Sequence, residues 1–398
     1  MKKIGILFGM ENTFPNAFIE RVNSKNSGFI AEAVSIDKVV QADPTEYAVI
    51  IDRISQDVPF YRAFLKNAAL SGTAVINNPF WWSADEKFFN NALAEKIGVP
   101  VPKTVLLPSK VRPENTSETS FRNLAFPMAW EEIFQYIGFP AYMKPHDGGG
   151  WKSVYKVVNP HDMWHKHEET GQLVMMLQEE IEFTDYFRCY CTGQKEVLIM
   201  PYEPRNPHHL RYAAEMKATG EAGEKLLETI KDYTLRLNIA LGYDFNTVEF
   251  AVRDGIPIAI DFCNPAPDAD IYSVGRDNFE WVVEAAANMA IERAQRAIPG
   301  QTNLTWGTFV KDALGIPAAT NAAITSSAAI ETPAVFEPIV APAAAKEVKV
   351  KTVTPKKTSK LVEDKGAEPV PSEPEPKIPT KKAAATKFPA ANSKLKKP

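Results

Sequence analysis

Two acidic residues stand inside apolar, strand-like segments in the second half of the sequence. Glu249 lies in TVEFAV and Asp261 in IAIDFC, and the turn signal Arg-Asp-Gly at 253–255 separates them. A buried carboxylate is costly unless it is paired or bound to a metal. Antiparallel pairing across the turn would bring the two carboxylates side by side near Asn264, and such oxygen ligands hold Mg²⁺ against substrate phosphates. The alternative is that both charges reach solvent at strand ends.

A lysine and a glycine run follow another predicted strand. Lys144 ends the segment PAYMK, and Gly148, Gly149 and Gly150 come shortly after it. Glycines let backbone N–H groups approach phosphate oxygens, and the lysine supplies a point charge, so this pattern indicates a flap over phosphates. The run is not a P-loop, because the GK[ST] ending is missing and a strand rather than a helix follows. The alternative is a plain turn.

An acidic segment, 178–185 (QEEIEFTD), ends the apolar run LVMMLQ. An extended hinge of this kind offers backbone N–H and C=O groups to the edge of an adenine ring. A carboxylate a few residues further on can accept hydrogen bonds from ribose hydroxyls. The segment therefore suggests a nucleotide hinge, and the alternative is an exposed acidic loop.

The elements that must position these residues fall into two parts. Up to residue 78, apolar strands alternate with helical segments, which predicts a parallel α/β unit. Ligands of such units lie beyond the C-terminal strand ends, where Gly9, Asp52 and Arg53 are found. The later part contains hairpin turn signals and is predicted to be antiparallel. Strands are predicted at 3–9, 47–52, 73–76, 140–144, 153–158, 173–178, 187–192, 196–201, 245–252 and 256–262. Helices are predicted at 14–25, 58–70, 83–97, 128–137, 160–169, 220–239 and 277–296, and a polar loop at 109–120.

The amino-acid composition indicates the kind of environment in which the protein folds. Hydrophobic residues make up 45% of the 398 residues, enough for a substantial core. The three cysteines form no disulfide framework, and Cys189 and Cys191 are expected on one strand face as reduced core thiols. The sequence shows no secretory signal pattern and no apolar stretch of membrane-spanning length. These features predict a soluble protein of the reducing cytoplasm, without membrane insertion.

The C-terminal segment, 317–398, differs in composition from the rest. Ala, Pro, Lys, Thr and Glu dominate it, which predicts a disordered tail. Residues 331–398 contain 14 lysines and 8 acidic residues, so they carry a net charge of about +6 and the remainder about −10. A basic, extended tail attracts anionic partners weakly when acidic residues are interleaved with the lysines. We expect the tail to be dispensable for catalysis, and the alternative is a solubilising segment without any partner.

The order of these motifs resembles the ATP-grasp superfamily, particularly its branch of ribosomal-protein glutamate ligases, glutathione synthetases and D-alanine–D-alanine ligases. The resemblance covers about residues 76–275. Its specificity comes from the order of the motifs rather than from any one of them. The matching segments are Ile76-Asn77-Asn78-Pro79, Asp85-Glu86-Lys87, Gly98-Val99-Pro100-Val101-Pro102-Lys103-Thr104, the Lys144 and glycine run, the hinge, Asp185-Tyr-Phe-Arg188, and the set Glu249, Asp261 and Asn264.

The resemblance implies a role for each matching residue. An arginine between hinge and metal site stabilises the acyl-phosphate in this family; Arg205 and Arg211 both fit, and the choice between them stays open. Arg53 would help to bind the acid or amine substrate. The implied nucleotide ligands are Lys87 and Lys144 at the phosphates, Gly148, Gly149 and Gly150 as the flap, Gln178, Glu179, Glu180 and Ile181 around adenine, and Asp185 at the ribose. The implied ligands of Mg²⁺ or Mn²⁺ are Glu249, Asp261 and Asn264.

The second metal strand departs from the family pattern. The family usually has Glu-x-Asn, whereas this chain has Asp261-Phe262-Cys263-Asn264, with a shorter acid and one residue more. Asn264 can therefore be a ligand only if the turn after it re-aims its side chain.

The resemblance implies a fold and a function together. The expected fold is an N-terminal parallel α/β domain at 1–78, an ATP-grasp domain at 79–316 with two α+β subdomains that clamp ATP, and the tail at 317–398. The expected function is an ATP-dependent carboxylate–amine ligase that acts through an acyl-phosphate on small-molecule or peptide substrates. The alternative is a non-catalytic ATP-binding module whose tail recruits a partner.

Overall fold

The first four strands form a parallel sheet in the computed structural model, which describes residues 3–80, 86–148, 152–213 and 215–298. The strand order is β2-β1-β3-β4, with every pair parallel, as the alternation of strands and helices predicted. Strand β3 (YAVIID) is buried along its whole length, which is typical of a parallel sheet covered on both faces. The elements are β1 (Lys3–Leu7), α1 (Phe14–Ser24), β2 (Ala31–Ala33), β3 (Tyr47–Asp52), α2 (Pro59–Leu70) and β4 (Ala74–Ile76).

A second, antiparallel sheet follows, in the order β5-β8-β6-β7. Its core includes Met143, Val157 and Leu177, against which Trp130 and Trp164 of two helices pack with ring centroids 4.4 Å apart. This sheet carries Lys144 and the start of the hinge. The elements are α3 (Lys87–Lys96), β5 (Thr104–Leu107), α4 (Trp130–Ile137), β6 (Ala141–Pro145), β7 (Tyr155–Val157), α5 (Pro160–Glu168) and β8 (Met175–Glu179).

The third sheet is also antiparallel and has the order β10-β9-β11-β12. Cys189 and Cys191 are both buried on β9, as the sequence predicted. Helix α6 packs on one face, and α8 joins the other face to the N-terminal sheet through one shared apolar core. The elements are β9 (Asp185–Thr192), β10 (Glu196–Pro201), α6 (Gly220–Leu241), β11 (Phe245–Arg253), β12 (Ile256–Asp261), α7 (Ile271–Val274) and α8 (Arg276–Gln295).

Differences from the predicted elements are confined to short segments. Strands β2 and β5 and helix α7, which have three or four residues each, were not predicted. So few residues carry little periodicity, although the equally short strands β4 and β7 were predicted. The predicted polar loop ends in a short 3₁₀ helix, Glu118–Phe121, and another covers His208–Ala213. The expectations for Asp85, Gly149, Gly150 and the tail 317–398 lie outside the described residues. The division of the chain at residues 78 and 316 stays a prediction.

No helix among the described residues is both long enough and apolar enough to span a membrane.

Candidate active site

A cavity of about 580 Å³ lies between the second and third sheets. Both predicted phosphate lysines, the hinge and both predicted metal carboxylates line it, although they come from distant parts of the sequence. The lining residues are Lys87, Tyr142, Lys144, Pro145, Asp147, Gly148, Lys152, Val154, Gln178, Glu179, Glu180, Ile181, Glu182, Phe183, Tyr186, Pro204, Arg205, Glu249, Ala251, Ile260 and Asp261.

The two carboxylates face each other across the last hairpin. Glu249 on β11 is the direct partner of Asp261 on β12, as the spacing across the turn predicted. The next partner of β11 residue Phe250 is Ala259, so Ile260 is an extra residue on β12 and forms a β-bulge. The bulge turns Ile260 and Asp261, which are neighbours in sequence, toward the same cavity. Strand β12 thus presents an apolar side chain, Ile260, and a carboxylate, Asp261, to the cavity side by side.

The surroundings shift the pKa values of Glu249 and Asp261 in opposite directions. Burial raises the pKa of Glu249, and its hydrogen bond from Tyr186 Oη (2.7 Å to Oε2) and the nearby Arg188 only partly offset that effect. Burial would also raise the pKa of Asp261, but the charges of Lys87 and Lys144 outweigh it and lower the pKa. Asp261 is therefore the firmly ionised carboxylate of the pair in the absence of a metal.

The two lysines are brought together by a backbone contact between segments far apart in sequence. Lys87 begins α3, and its N–H donates to the carbonyl oxygen of His146, two residues after Lys144 (2.6 Å). Lys87 Nζ lies 3.3 Å from Asp261 Oδ1. Burial, together with the charge of Lys87, lowers the pKa of Lys144 to about 8. The two lysines can contact the phosphates of a nucleotide, while the two carboxylates can take the metal that accompanies it.

The depressed pKa of Lys144 makes the stability of the ligand-free protein depend on pH. Its folded-state pKa of about 8 lies below the ordinary 10.5, so between these values the unfolded chain binds more protons. Stability therefore rises with pH in that window. Measured against a Lys144→Met variant, the wild-type free energy of unfolding is expected to increase from pH 8 to pH 10.5. If the difference in the free energy of unfolding between wild type and Lys144→Met does not change from pH 8 to pH 10.5, the pKa of Lys144 is not lowered.

The hinge side chains are largely committed to contacts within the protein. Gln178 Nε2 donates to Thr104 Oγ1 (2.9 Å), and Glu179 Oε1 accepts from the N–H of Lys103 (3.0 Å). Glu180 pairs with Lys156 (2.6 Å). Ile181 is buried against the apolar cluster next to the cavity. These contacts hold the segment extended, as an adenine-binding hinge requires.

Two predicted ligands beside the hinge are placed differently from each other. Asp185 is buried, and its Oδ1 accepts from the backbone N–H of Lys217 (2.6 Å), so the structure does not bring it into the cavity. Glu182, three residues earlier, lines the cavity in its place. Gly148 lines the cavity with φ +84°, a conformation that glycine adopts without strain. Gly149 and Gly150 are outside the described residues.

The two arginines predicted from the family pattern differ in their position relative to the cavity. Arg205 lines the cavity near the hinge, where it pairs with Glu203 (2.6 Å) and lies over the ring of Phe183 (4.4 Å). Arg211 is not among the cavity-lining residues of the described structure and donates to Tyr202 Oη (3.3 Å) and to a backbone carbonyl. Neither forms an ion pair with Glu249 or Asp261.

Arg188 on β9 lies closer to the carboxylates, and sequence reasoning did not assign it a role. It stands opposite Glu249 in the β9–β11 pairing, with Nε 3.7 Å from Glu249 Oε1. Its side chain is 12% exposed and donates to Tyr212 Oη (2.9 Å) and Thr247 Oγ1 (3.4 Å). A charged residue in the otherwise apolar run YFRCYC was the signal that could have identified it.

Arg53 lies away from this cavity, at the contact between the N-terminal sheet and the loop after β12. Its Nε donates to Glu11 Oε2 (2.9 Å) and its Nη2 to the carbonyl oxygen of Pro267 (2.6 Å). The guanidinium also lies over the rings of Phe14 and Phe245. These contacts give Arg53 a structural role, and its assignment to a substrate stays a prediction.

The oxygen donors at the carboxylate end fit Mg²⁺ or Mn²⁺. Among the described residues, no group of three or more His, Cys, Asp or Glu side chains is arranged to hold a metal ion. Magnesium, however, often takes only one or two protein carboxylates together with phosphate oxygens and water. Glu249 and Asp261 supply such a partial set. Asn264, the third predicted ligand, is not among the cavity-lining residues of the described structure, and its Nδ2 donates to the carbonyl oxygen of Thr247 (3.2 Å).

The described fold is shared with solved ATP-grasp structures. One is VanG D-Ala:D-Ser ligase from Enterococcus faecalis, with TM-score 0.53 and 14% identity over 74% of this chain and 99% of that chain. Another is the D-alanine–D-alanine ligase from Bacillus anthracis complexed with ATP, with TM-score 0.51 and 15% identity over 74% and 97%. A RimK domain ATP-grasp protein from Sphaerobacter thermophilus gives 0.50 and 15% over 72% and 99%.

This chain therefore has the ATP-grasp fold, and the resemblance seen in the sequence is confirmed at the level of fold. No protein-family model matches the sequence, and no curated protein matches it either.

Proposed function

We propose that this protein is an ATP-dependent carboxylate–amine ligase that acts through an acyl-phosphate. The observation that carries the proposal is the facing pair Glu249 and Asp261 beside Lys87 and Lys144, in one cavity with an extended hinge. An extended hinge and a cationic end suit a nucleotide with its triphosphate. The pair of carboxylates at the same end suits the metal that accompanies it.

The proposed chemistry is mostly positioning and charge neutralisation. A carboxylate oxygen of the acid attacks the γ-phosphorus of ATP; the bond from that phosphorus to the bridging oxygen breaks, and ADP leaves. Lys87 and Lys144 offset the charge of the phosphates. An amine then attacks the acyl carbon, phosphate leaves, and the amine nitrogen loses a proton. Mg²⁺ held by Glu249 and Asp261 would supply further charge neutralisation at the phosphates.

Arg188 is proposed as the guanidinium that stabilises charge on the acyl-phosphate and the tetrahedral state. It is the arginine whose side chain approaches Glu249, although it is not among the cavity-lining residues of the described structure. Arg205 lines the cavity but pairs with Glu203, and Arg211 bonds to Tyr202. Arg188→Lys keeps the charge but loses the planar fork. It should lower kcat by about 10²-fold, the order seen when one oriented donor is removed, with little change in ATP affinity.

Arg205→Lys and Arg211→Lys serve as matched controls for that variant, since both arginines also hydrogen-bond to oxygen acceptors. Steady-state kcat and the dissociation constant of ATP are the two measurements. If Arg188→Lys has the wild-type kcat and one of the control variants loses most of its kcat, the role belongs to the arginine replaced in that control.

The acid and amine substrates belong to the classes of small molecules or peptides, as for ATP-grasp ligases generally. A screen for ADP release with Mg-ATP and a library of amino acids, other carboxylic acids and short peptides tests the proposal. The proposal is supported if ADP release appears with one acid and if an amide forms only when an amine is also present.

A second candidate is a non-catalytic ATP-binding module. The altered second metal strand, Asp261-Phe262-Cys263-Asn264, favours this candidate because it departs from the family pattern. The module should bind ATP and leave it intact in every substrate mixture. The retention of both lysines and both carboxylates argues for the ligase.

A further inference from the structure

Tyr186 on β9 connects the hinge end of the cavity with the carboxylate end. Its side chain lines the cavity, although the residue is only 8% exposed. The ring meets Phe183 of the hinge edge to face, with centroids 5.1 Å apart, and the hydroxyl donates to Glu249 on the neighbouring strand. An aromatic ring that is packed on its sides and bonded at its tip is held in one orientation.

The strand pairing gives this ring its direction. In the β9–β11 ladder the residue directly opposite Tyr186 is Ala251, whereas Glu249 is opposite Arg188. Tyr186 and Glu249 are therefore diagonal neighbours on one face of the sheet, within reach of an aromatic side chain. Because alanine has no side chain beyond Cβ, the space across from Tyr186 stays open, and the phenol leans over it to Glu249.

The two oxygens of Glu249 have different surroundings as a result. Oε2 accepts the hydrogen bond from Tyr186 Oη at 2.7 Å, so the phenol stands against this oxygen. Oε1 accepts no hydrogen bond from any of the described residues, and it lies 3.7 Å from Arg188 Nε. The carboxylate therefore has one oxygen that is engaged within the protein and one that is open to a cation.

Mg²⁺ and Ca²⁺ differ in how they bind carboxylates. Mg²⁺ is small, requires nearly octahedral geometry at about 2.0–2.1 Å, and is usually held by one or two carboxylates together with phosphate oxygens and water. Ca²⁺ is larger, takes about six to eight oxygens, and often binds a carboxylate through both of its oxygens. A residue that restricts a carboxylate to one oxygen therefore favours Mg²⁺ over Ca²⁺.

We propose that Tyr186 sets the metal preference of this site: its hydroxyl restricts Glu249 to one oxygen, so that Mg²⁺ or Mn²⁺ is accepted and Ca²⁺ is disfavoured. Tyr186 acts through Glu249 and is thus a positioning residue. The inference rests on the proposed function, because it needs a cation at Glu249. Side chains that orient metal ligands typically change metal affinity about 10- to 100-fold when they are removed.

The test compares Tyr186→Phe with the wild type by metal binding rather than by turnover. The Mn²⁺ affinity of the full chain with the non-hydrolysable analogue AMPPNP is measured from the electron paramagnetic resonance signal of free Mn²⁺. The Mg²⁺ and Ca²⁺ affinities follow from the Mn²⁺ that each of them displaces. The variant should bind Mg²⁺ and Mn²⁺ about 10-fold more weakly and Ca²⁺ about as well as the wild type, so its preference for Mg²⁺ over Ca²⁺ should fall about 10-fold.

Tyr202→Phe is the matched control. Tyr202 is also buried and belongs to the same aromatic cluster, with its ring centroid 5.9 Å from that of Tyr186, but its hydroxyl accepts from Arg211. The metal preference of this variant should stay within about twofold of the wild type, the size of an ordinary additivity error. If Tyr186→Phe does not fold, Ala251→Val, which keeps the hydroxyl and crowds its ring from the opposite strand, is judged by the same criterion.

The outcomes separate this inference from the function on which it rests. A wild-type chain that takes up none of the three cations with AMPPNP overturns both. A wild-type chain that binds Mn²⁺ but prefers Ca²⁺ to Mg²⁺ overturns only the role of Tyr186, as does an unchanged preference in Tyr186→Phe or an equal shift in Tyr202→Phe. A loss of the Mg²⁺ preference in Tyr186→Phe that Tyr202→Phe does not share supports the inference.

Discussion

Replacing Glu249 by Gln and Asp261 by Asn in one chain is expected to lower ATP turnover by about 10³-fold or more. Both side chains keep their shape but lose the charge that would hold the metal against the phosphates. The value of kcat should fall, and the Mg²⁺ concentration needed for half-maximal rate should rise. Both are measured by ADP release over a Mg²⁺ titration. The fold should survive, because neutral amides are less costly to bury than carboxylates.

The matched control is Glu196→Gln with Asp254→Asn, which removes two exposed carboxylates from the same sheet. Its turnover and melting temperature should equal those of the wild type. If the Glu249 and Asp261 double variant worked at ordinary Mg²⁺ concentrations, the assignment of this hairpin to the metal would be wrong.

Lys144→Met is expected to lower turnover by about 10²- to 10³-fold, the order of effect found when an oriented charge at the reacting group is removed. The methionine fills most of the space of the lysine stem, so the change is mainly one of charge. Lys144 is largely buried beside Lys87 and close to Asp261, so its charge acts at short range with little screening. Single-turnover rates with saturating Mg-ATP measure the effect.

Lys166→Met is the control for that variant, since Lys166 also pairs with a carboxylate, Glu169, and lies over an aromatic ring, but on the outer surface of α5. It should show wild-type rates. Full nucleotide turnover in Lys144→Met would rule out the proposed part of this lysine in the mechanism.

Local sequence signals were sufficient to predict the pairing of Glu249 with Asp261 across the last hairpin. Glu249 and Asp261 are joined by a tight turn, so their pairing depends on only a few residues, and the prediction that they lie side by side is confirmed. The same holds for the strand that carries Lys144, because an apolar run followed by glycines is a local pattern. Elements set by local spacing are therefore the ones that the sequence predicted well.

Contacts between strands that are distant in the chain could not be predicted from the sequence. Arg188 faces Glu249 only because β9 pairs with β11 in one register, and a shift by one residue would turn it to the other face of the sheet. The buried side chain of Asn246 likewise donates to the carbonyl oxygen of Phe262, 16 residues later in the chain. Arg53 was expected beyond a strand end, but its partner, Glu11, comes from a different loop that the sequence does not relate to it.

The most direct test of the central claim is the identity of the products formed from ATP. The protein is incubated with Mg-ATP, a library of carboxylic acids and hydroxylamine, which traps acyl-phosphates as hydroxamates. A ligase of this kind should form ADP, phosphate and one hydroxamate in equal amounts, and all three should be lost in the Glu249→Gln, Asp261→Asn variant. Formation of AMP and pyrophosphate would contradict the acyl-phosphate. Tight binding of ATP that is never consumed in any mixture would contradict the ligase itself.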